Sequence, residues 1–394
     1  MEKKTVWIPV ITFLALIFGG MVWGILKPDQ AYSDTENRYL ASRPEFSWES
    51  LFSGSYTQDY ESYITDQFPM RDQWIGLKTR TEMALGKAET KNVWLADDDY
   101  LIVNYPASDF EGEQAGKNRD TLAEALAYYV DSLGEDHVRV LLAPTSSQIL
   151  QDKLPSYSQV YDQSQYLDEI IAAAGAALQS AGLECGADGL FVGAREALLA
   201  HKEEYIYYRT DHHWTTLGAY YAYCAWAKSM GFTPVPDAGL QTVSEDFWGT
   251  TYSRLHAGGR ADVISVYDTD TEVKLTHNLT EVTSGFYDWD ALSTRDKYAV
   301  FLGGNDGLLE IDRIEEAEAG SAADKSVLLV VKDSFANSFI PYAMEHFDRI
   351  VVVDLRYMNM SLRQLAGEYG VTDLLVLYST QAFATDATVF KLGR

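Results

Sequence analysis

The chain has 394 residues, 47% of them hydrophobic and 13% aromatic, and 58 acidic side chains against 31 Lys and Arg give it a formal charge of −27. That content excludes a disordered chain and a small disulfide-stapled scaffold. It also argues against a nucleic-acid partner, because phosphate contacts need clustered cations and no basic block exists beyond Lys3 and Lys4.

The first element in chain order is apolar. Thr5 to Leu26 runs 22 residues without a charge, and a membrane-spanning helix needs about 20. Trp7 and Trp23 stand near its two ends, at the depth amphipathic rings favour. Lys3 and Lys4 precede the stretch and a lone Lys27 follows it. The positive-inside rule therefore predicts a single-pass anchor in the cell membrane over residues 1–26, with the N-terminus cytoplasmic and the C-terminal domain extracytoplasmic. The rival is a cleaved signal peptide, whose apolar region usually spans about 7–15 residues and ends at an A-x-A-like site. No such site follows closely. Residues 27–45 are polar without a hydrophobic period and read as a linker or stalk. Over 46–89, Trp48, Leu51, Phe52, Tyr56, Tyr60, Tyr63, Ile64, Phe68, Trp74, Ile75 and Leu77 recur mostly at three- and four-residue steps, which predicts a helical extension.

Four later runs, Val138–Leu142, Ser326–Val331, Ile350–Val353 and Leu374–Leu377, are short and almost continuously β-branched or leucine-rich. Continuous rather than alternating apolarity marks strands covered on both faces. Helical patterns over Leu122–Leu133, Tyr166–Ala181 and Leu217–Met230 fall around and between them. The expected class is α/β, with a doubly wound, mostly parallel sheet over 90–394. The Thr-, Tyr-, Asp- and Gly-rich segment at about 234–319 is expected to be an irregular or β-rich insertion. Cys185 and Cys224 suit either one disulfide or two buried thiols, and no CxxC or zinc spacing exists.

The densest polar run is Arg209-Thr210-Asp211-His212-His213-Trp214-Thr215. In an extended segment residues i and i+2 share a face, so Asp211 and His213 are expected to point the same way. An Asp beside a His can fix the imidazole tautomer and stabilise its protonated form. The His212-His213 pair also suggests a metal, but adjacent histidines on a strand face opposite sides and no further His or Cys lies at ligand spacing, so none is expected. The bland alternative is a cap for the next helix, with Thr215 or Thr216 at its start. Farther on, Val330-Val331-Lys332-Asp333-Ser334-Phe335-Ala336-Asn337-Ser338 reads as a strand ending in a turn before a helix. This places Ser334 at the carboxyl edge of the sheet, where open α/β folds bind ligands, with helix-start N–H groups behind it. An ordinary Asp-Ser helix start is the alternative. Oxyanion donors are sought in Gly303-Gly304-Asn305, Asn337 and Arg356, although a plain turn accounts for the glycines as well. Arg356 and Tyr357 follow a strand and should emerge at the same edge, to hold a sugar or carboxylate, or in a salt bridge. Trp214 suits either a sugar ring or the core. His137, His201, His256, His277 and His346 have no partner pattern and are expected to be structural or exposed.

Taken together, Asp211-His212-His213-Trp214 and Lys332-Asp333-Ser334-Phe335-Ala336-Asn337-Ser338, with Glu36-Asn37-Arg38, Asp66-Gln67-Phe68-Pro69 and Asp354-Leu355-Arg356-Tyr357, resemble the DHHW family of exported bacterial proteins. More distantly they resemble the alginate O-acetyltransferase proteins of the AlgX/AlgJ type, with their SGNH-hydrolase-like domain. The resemblance implies Ser334 as acyl-accepting nucleophile, His213 as general base and Asp211 as the residue orienting it, in a motif order permuted from ordinary SGNH enzymes. Lys332 stands where those enzymes have Gly. It further implies transfer of acetyl groups to a cell-surface polysaccharide, with the acetyl delivered by a membrane-bound O-acyltransferase partner. No nucleotide or coenzyme A loop is present, so no cofactor is expected. Two other readings fit the same residues: a carbohydrate esterase using the same triad, and a non-catalytic glycan-binding scaffold of an envelope assembly.

Overall fold

The computed structural model describes residues 2–33, 38–314 and 325–394, with side chains from Trp7 onward. The Glu36-Asn37 pair, the Lys3 and Lys4 side chains and positions 315–319 of the expected insertion lie outside the described residues. The chain divides into two compact units, Met1–Lys91 with Tyr252–Gly258, and Asn92–Thr251 with Gly259–Arg394.

In the first unit, a helix over Glu2–Leu26 contains a stretch, Trp7–Leu26, long and apolar enough to cross a membrane. Gln30 and Arg38, among the described polar residues after it, are hydrogen-bonded to the end of a later helix. The Asp66 carboxylate grips the Arg38 guanidinium at 2.8 and 2.6 Å, and the Gln67 amide bonds both the N–H and the carbonyl of Gln30 at 2.9 Å. Both residues lie at the end of the helix Ser55–Asp66, so its terminal side chains satisfy backbone groups the irregular segment leaves open. Helices Trp48–Ser53 and Arg71–Ala84 complete the unit. Gly76 lets the returning Tyr252–Gly258 segment approach, because a Cβ there would stand 2.7 Å from the His256 carbonyl oxygen.

The second unit is built on seven strands: β1 (Val138–Ala143), β2 (Val273–His277), β3 (Glu281–Ser284), β4 (Leu308–Arg313), β5 (Val327–Lys332), β6 (Arg349–Val353) and β7 (Asp373–Ser379). Their order is β3-β2-β4-β6-β5-β7-β1. The four strands read from sequence, β1, β5, β6 and β7, pair in parallel. The other three pairings are antiparallel. The expectation of a mostly parallel sheet is thereby corrected to a mixed one. Strands β2 to β4 widen the sheet beyond β6, and β3, an exposed edge throughout, carries no continuous apolar run to betray it.

Alternation along each central strand feeds two separate cores. Leu328 and Val330 of β5 pack with Ala219, Tyr223 and Trp226 of the helix Thr216–Ser229. Leu329 and Val331 pack with Leu122 and Leu126 of the helix Glu113–Leu133 and with Tyr166 and Ile170 of the helix Gln163–Ser180. Because both faces are covered, these strands show no polar alternation. The chain leaves β5 for β6 on one side and then crosses to β7 on the other. The carboxyl end of β5 thus lies where strand order reverses, the place where such sheets open a crevice. Cys185 and Cys224 are free thiols.

Candidate active site

Two segments meet at that end of β5. The first is a hairpin-like loop ahead of the helix Thr216–Ser229. Its stem is closed by Tyr208 N–H to the His213 carbonyl at 3.2 Å and Thr215 N–H to the Ile206 carbonyl at 3.0 Å. The Thr215 hydroxyl caps the helix by accepting from Gly218 N–H, and Gly218 has no room for a Cβ, which would stand 2.3 Å from the Ile206 oxygen. Asp262, wholly buried, fixes the loop from below by accepting the N–H groups of Arg209 and Thr210 at 2.7 and 2.8 Å and the hydroxyls of Thr210 and Tyr205.

At the tip the backbone bends, rather than running extended as expected. Asp211 and His213 meet through an Asx turn, in which His213 N–H donates to Asp211 Oδ1 at 3.0 Å. The same carboxylate oxygen lies 2.5 Å from His213 Nδ1, while Oδ2 accepts the Thr250 N–H and hydroxyl at 2.8 and 2.9 Å. A carboxylate only accepts, so Nδ1 carries the proton and Nε2 is left with its lone pair. Nε2 lies 2.7 Å from Ser334 Oγ. Burial alone favours the neutral acid at Asp211. The nearby imidazoles of His212 and His213 and the Thr250 N–H outweigh it and hold the carboxyl far below the usual carboxylate range.

The second segment is the turn after β5. Asp333 caps the short 3₁₀ helix Ser334–Ser338 through Phe335 N–H at 2.9 Å, and its other oxygen accepts Ser379 N–H from the end of β7 at 2.8 Å. Trp214 Nε1–H donates to the Phe335 carbonyl at 2.9 Å and the Ser338 hydroxyl at 3.2 Å, locking the two segments together. Tyr298 lies flat on the His213 ring, 4.0 Å between centroids and 9° between planes, and its hydroxyl donates to the Ser334 carbonyl at 3.0 Å. Ser334 is half-buried, and its backbone N–H has no acceptor among the described residues.

Lys332 supplies a third feature. It is only 2% exposed, and its ammonium donates to Asn305 Oδ1 at 2.5 Å and Asn337 Oδ1 at 2.8 Å. An ammonium cannot accept, so both amides must turn their oxygens toward it and their NH₂ groups away. Asn337 spends its NH₂ on the Gly304 carbonyl at 3.2 Å and on Asn305 Oδ1 at 3.4 Å. Asn305 is exposed, and its NH₂ has no acceptor among the described residues. Burial lowers the Lys332 pKa, and the carboxylates of Asp354 and Asp333 restrain the fall to about 8.

Of the residues singled out in sequence, Asp211, His213 and Ser334 form one hydrogen-bonded line, and Asn305 and Asn337 share Lys332. Others take the plainer of the two readings left open for them. Trp214 is wholly buried and cannot stack on a sugar; its indole braces the Ser334 turn. Gly304 directs its N–H to the Phe301 carbonyl at 3.2 Å and so is spent within its own turn. Arg356 is held by Asp354 through two bonds of 2.9 and 2.6 Å, and Tyr357 lies under that guanidinium at 5.4 Å. Their partners are each other and Asp354 rather than the Ser334 line. Asp211, His212 and His213 also set ligand-type atoms within 4.8 Å of one another, but both His213 nitrogens are engaged, with Asp211 and Ser334. Thr250, Asp262 and Tyr298 were not foreseen. Beside Thr250, Gly249 leaves no room for a side chain, since a Cβ there would stand 2.2 Å from the Asp211 Cβ.

Residues 192–353 match the family model described as DHHW protein, and residues 104–253 match that of the SGNH hydrolase-like domain of the acetyltransferase AlgX. No curated protein sequence matches the chain significantly. Among solved structures, a DHHW family protein from Eubacterium siraeum is 21% identical, covering 77% of this chain and 95% of its own at a TM-score of 0.53. PatB1 of Bacillus cereus, solved with a sulfonyl adduct, is 19% identical, covering 77% of this chain and all of its own at a TM-score of 0.56. At such identities the structures show a shared fold. The chain is thus similar to the DHHW proteins and to the SGNH hydrolase-like acetyltransferases, the likeness that Asp211-His212-His213-Trp214 and the Ser334 turn pointed to.

Proposed function

We propose that this protein is a membrane-anchored, extracytoplasmic O-acetyltransferase that moves acetyl groups onto a cell-surface polysaccharide through Ser334, His213 and Asp211. The single observation that carries this reading is the unbroken line from Ser334 Oγ to His213 Nε2 at 2.7 Å and from His213 Nδ1 to Asp211 at 2.5 Å. Ser334 Oγ attacks the carbonyl carbon of the acetyl donor while its proton passes to His213 Nε2 and on to the leaving group. Asp211 keeps the proton of the neutral ring on Nδ1 and stabilises the imidazolium. The oxyanion is received by the Ser334 N–H and the Asn305 NH₂, whose orientation Lys332 imposes. A sugar hydroxyl then gives its proton to Nε2, its oxygen takes the acetyl group from Ser334, and the proton returns to Ser334 Oγ.

The Trp7–Leu26 helix supports the anchor, with the second unit outside the cell. A membrane-bound O-acyltransferase supplies the acetyl group on that side, where coenzyme A esters are absent. The test is to incubate the full-length protein in detergent with p-nitrophenyl acetate and an oligosaccharide. Acetylated oligosaccharide, lost in Ser334→Ala, supports the proposal. Free acetate alone makes the protein an esterase, and ester turnover unchanged in Ser334→Ala leaves the scaffold reading.

A further inference from the structure

A cleft of about 500 Å³ opens in the second unit between the β2–β3 hairpin, the segment Gly285–Asp290 and the loop that carries Gly303. Gly303 is two residues from Asn305, no more than about 7 Å along the chain. One wall of the cleft and the proposed oxyanion amide therefore belong to the same turn.

The lining has a particular chemistry. Trp289 is 52% exposed, a large flat ring open to solvent. Around it stand the carboxylates of Glu281, Asp288 and Asp290, with Asp306, and no Lys or Arg lines the cleft. His277 is its one imidazole, held between Asp306 at 2.6 Å and the Thr283 hydroxyl at 2.9 Å. An exposed indole offers an apolar face to the C–H side of a pyranose ring, and carboxylates accept hydrogen bonds from its hydroxyls. The same carboxylates repel another anion. A unit charge about 4 Å away costs about 1 kcal/mol in water and about 4 kcal/mol near a protein surface.

We propose that this cleft is the acceptor subsite, and that it takes a neutral or amine-bearing sugar chain and rejects a uronate polymer. This inference rests on the glycan-transfer reading and deepens it by naming the class of acceptor. The whole-chain charge of −27 acts in the same direction at longer range.

The test uses the full-length protein in detergent with three probes, cellohexaose, hexaglucosamine and hexagalacturonate, measured by calorimetry at low and high salt. Cellohexaose and hexaglucosamine should bind, the latter more weakly as salt rises, and hexagalacturonate should not. Trp289→Ala should weaken cellohexaose binding about tenfold while leaving hydrolysis of p-nitrophenyl acetate unchanged. Asp288→Asn with Asp290→Asn should shallow the salt dependence for hexaglucosamine and narrow the gap between cellohexaose and hexagalacturonate, with Glu281, Asp306 and the whole-chain charge still acting. Hexagalacturonate binding as tightly as cellohexaose, or Trp289→Ala binding like wild type, overturns the inference and leaves the Ser334 chemistry untouched. Unchanged ester turnover in Ser334→Ala overturns that chemistry and leaves the binding result standing.

Discussion

Replacing Lys332 with Met separates the geometry of the site from the stability of the fold. The ammonium is buried, and its pKa of about 8 lies below the ordinary 10.5 because burial disfavours the charge more than Asp354 and Asp333 restore it. That difference corresponds to about 3 kcal/mol of folding free energy spent at neutral pH on keeping the charge. The sign follows from proton counts. Between the folded value near 8 and the unfolded value of 10.5, the unfolded chain binds the extra proton, so stability rises with pH across that window. Met removes both the cost and two charge-assisted hydrogen bonds, each worth about 1.5–3 kcal/mol. The terms nearly cancel, so Lys332→Met should unfold at a denaturant midpoint close to wild type at pH 7 and lack the rise between pH 8 and 10.5. Activity should not be spared. With the ammonium gone, Asn305 Oδ1 keeps only the long 3.4 Å bond from the Asn337 NH₂, and losing one oxyanion donor costs about 10²–10³ in kcat. Stopped-flow hydrolysis of p-nitrophenyl acetate and urea titrations at pH 7 and 9.5 measure the two effects. Wild-type kcat in Lys332→Met refutes the role given to Asn305, and an unaltered pH slope of stability refutes the titration of Lys332.

Asp211→Asn can present NH₂ to His213 Nδ1, favouring the wrong tautomer; kcat for ester hydrolysis should fall by about 10⁴, with the thermal midpoint at neutral pH lowered because the stabilising carboxylate is gone. In wild type the Asp211 carboxylate is held below its ordinary value of 3.8, so its contribution to stability is full above that pH and lost as pH falls below it, a loss that acid titrations of Asp211→Asn should lack. Gly249→Ala puts a Cβ 2.2 Å from the Asp211 Cβ, so the loop must move; kcat should drop at least as far as the loss of the Thr250 bonds dictates, with a lowered thermal midpoint. Trp214→Phe loses the donor to Phe335 and Ser338 and should cost about 1–3 kcal/mol in urea unfolding, while cellohexaose affinity stays at the wild-type value.

The parallel half of the sheet was legible because β1, β5, β6 and β7 are covered on both sides, which makes each an almost continuous apolar run, broken in β1 only by Arg139. Strand β3, exposed throughout, and β2, with its alternating start, left no such run and were read only as part of an irregular or β-rich stretch. Asp211, His213 and Ser334 were visible as residue types at suggestive places, yet the link between them was not an extended i, i+2 pair but an Asx turn, a local hydrogen bond that periodicity does not encode. Tyr298 and Asp262 reach the site from far along the chain with ordinary neighbours, so nothing local marked them. Lys332 was conspicuous as a departure from Gly. Its partners Asn305 and Asn337 were named separately as oxyanion donors, and the structure joins them through its ammonium.

In the proposed mechanism Ser334 carries the acetyl group. Mixing the protein with p-nitrophenyl acetate, quenching in acid within the first turnover and mapping the digest by mass spectrometry tests it directly. One acetyl group is expected on the peptide that contains Ser334, accumulating in wild type, absent in Ser334→Ala and strongly reduced in His213→Ala. Acetylation at another side chain with Ser334 unmodified, or turnover that persists in Ser334→Ala, contradicts it.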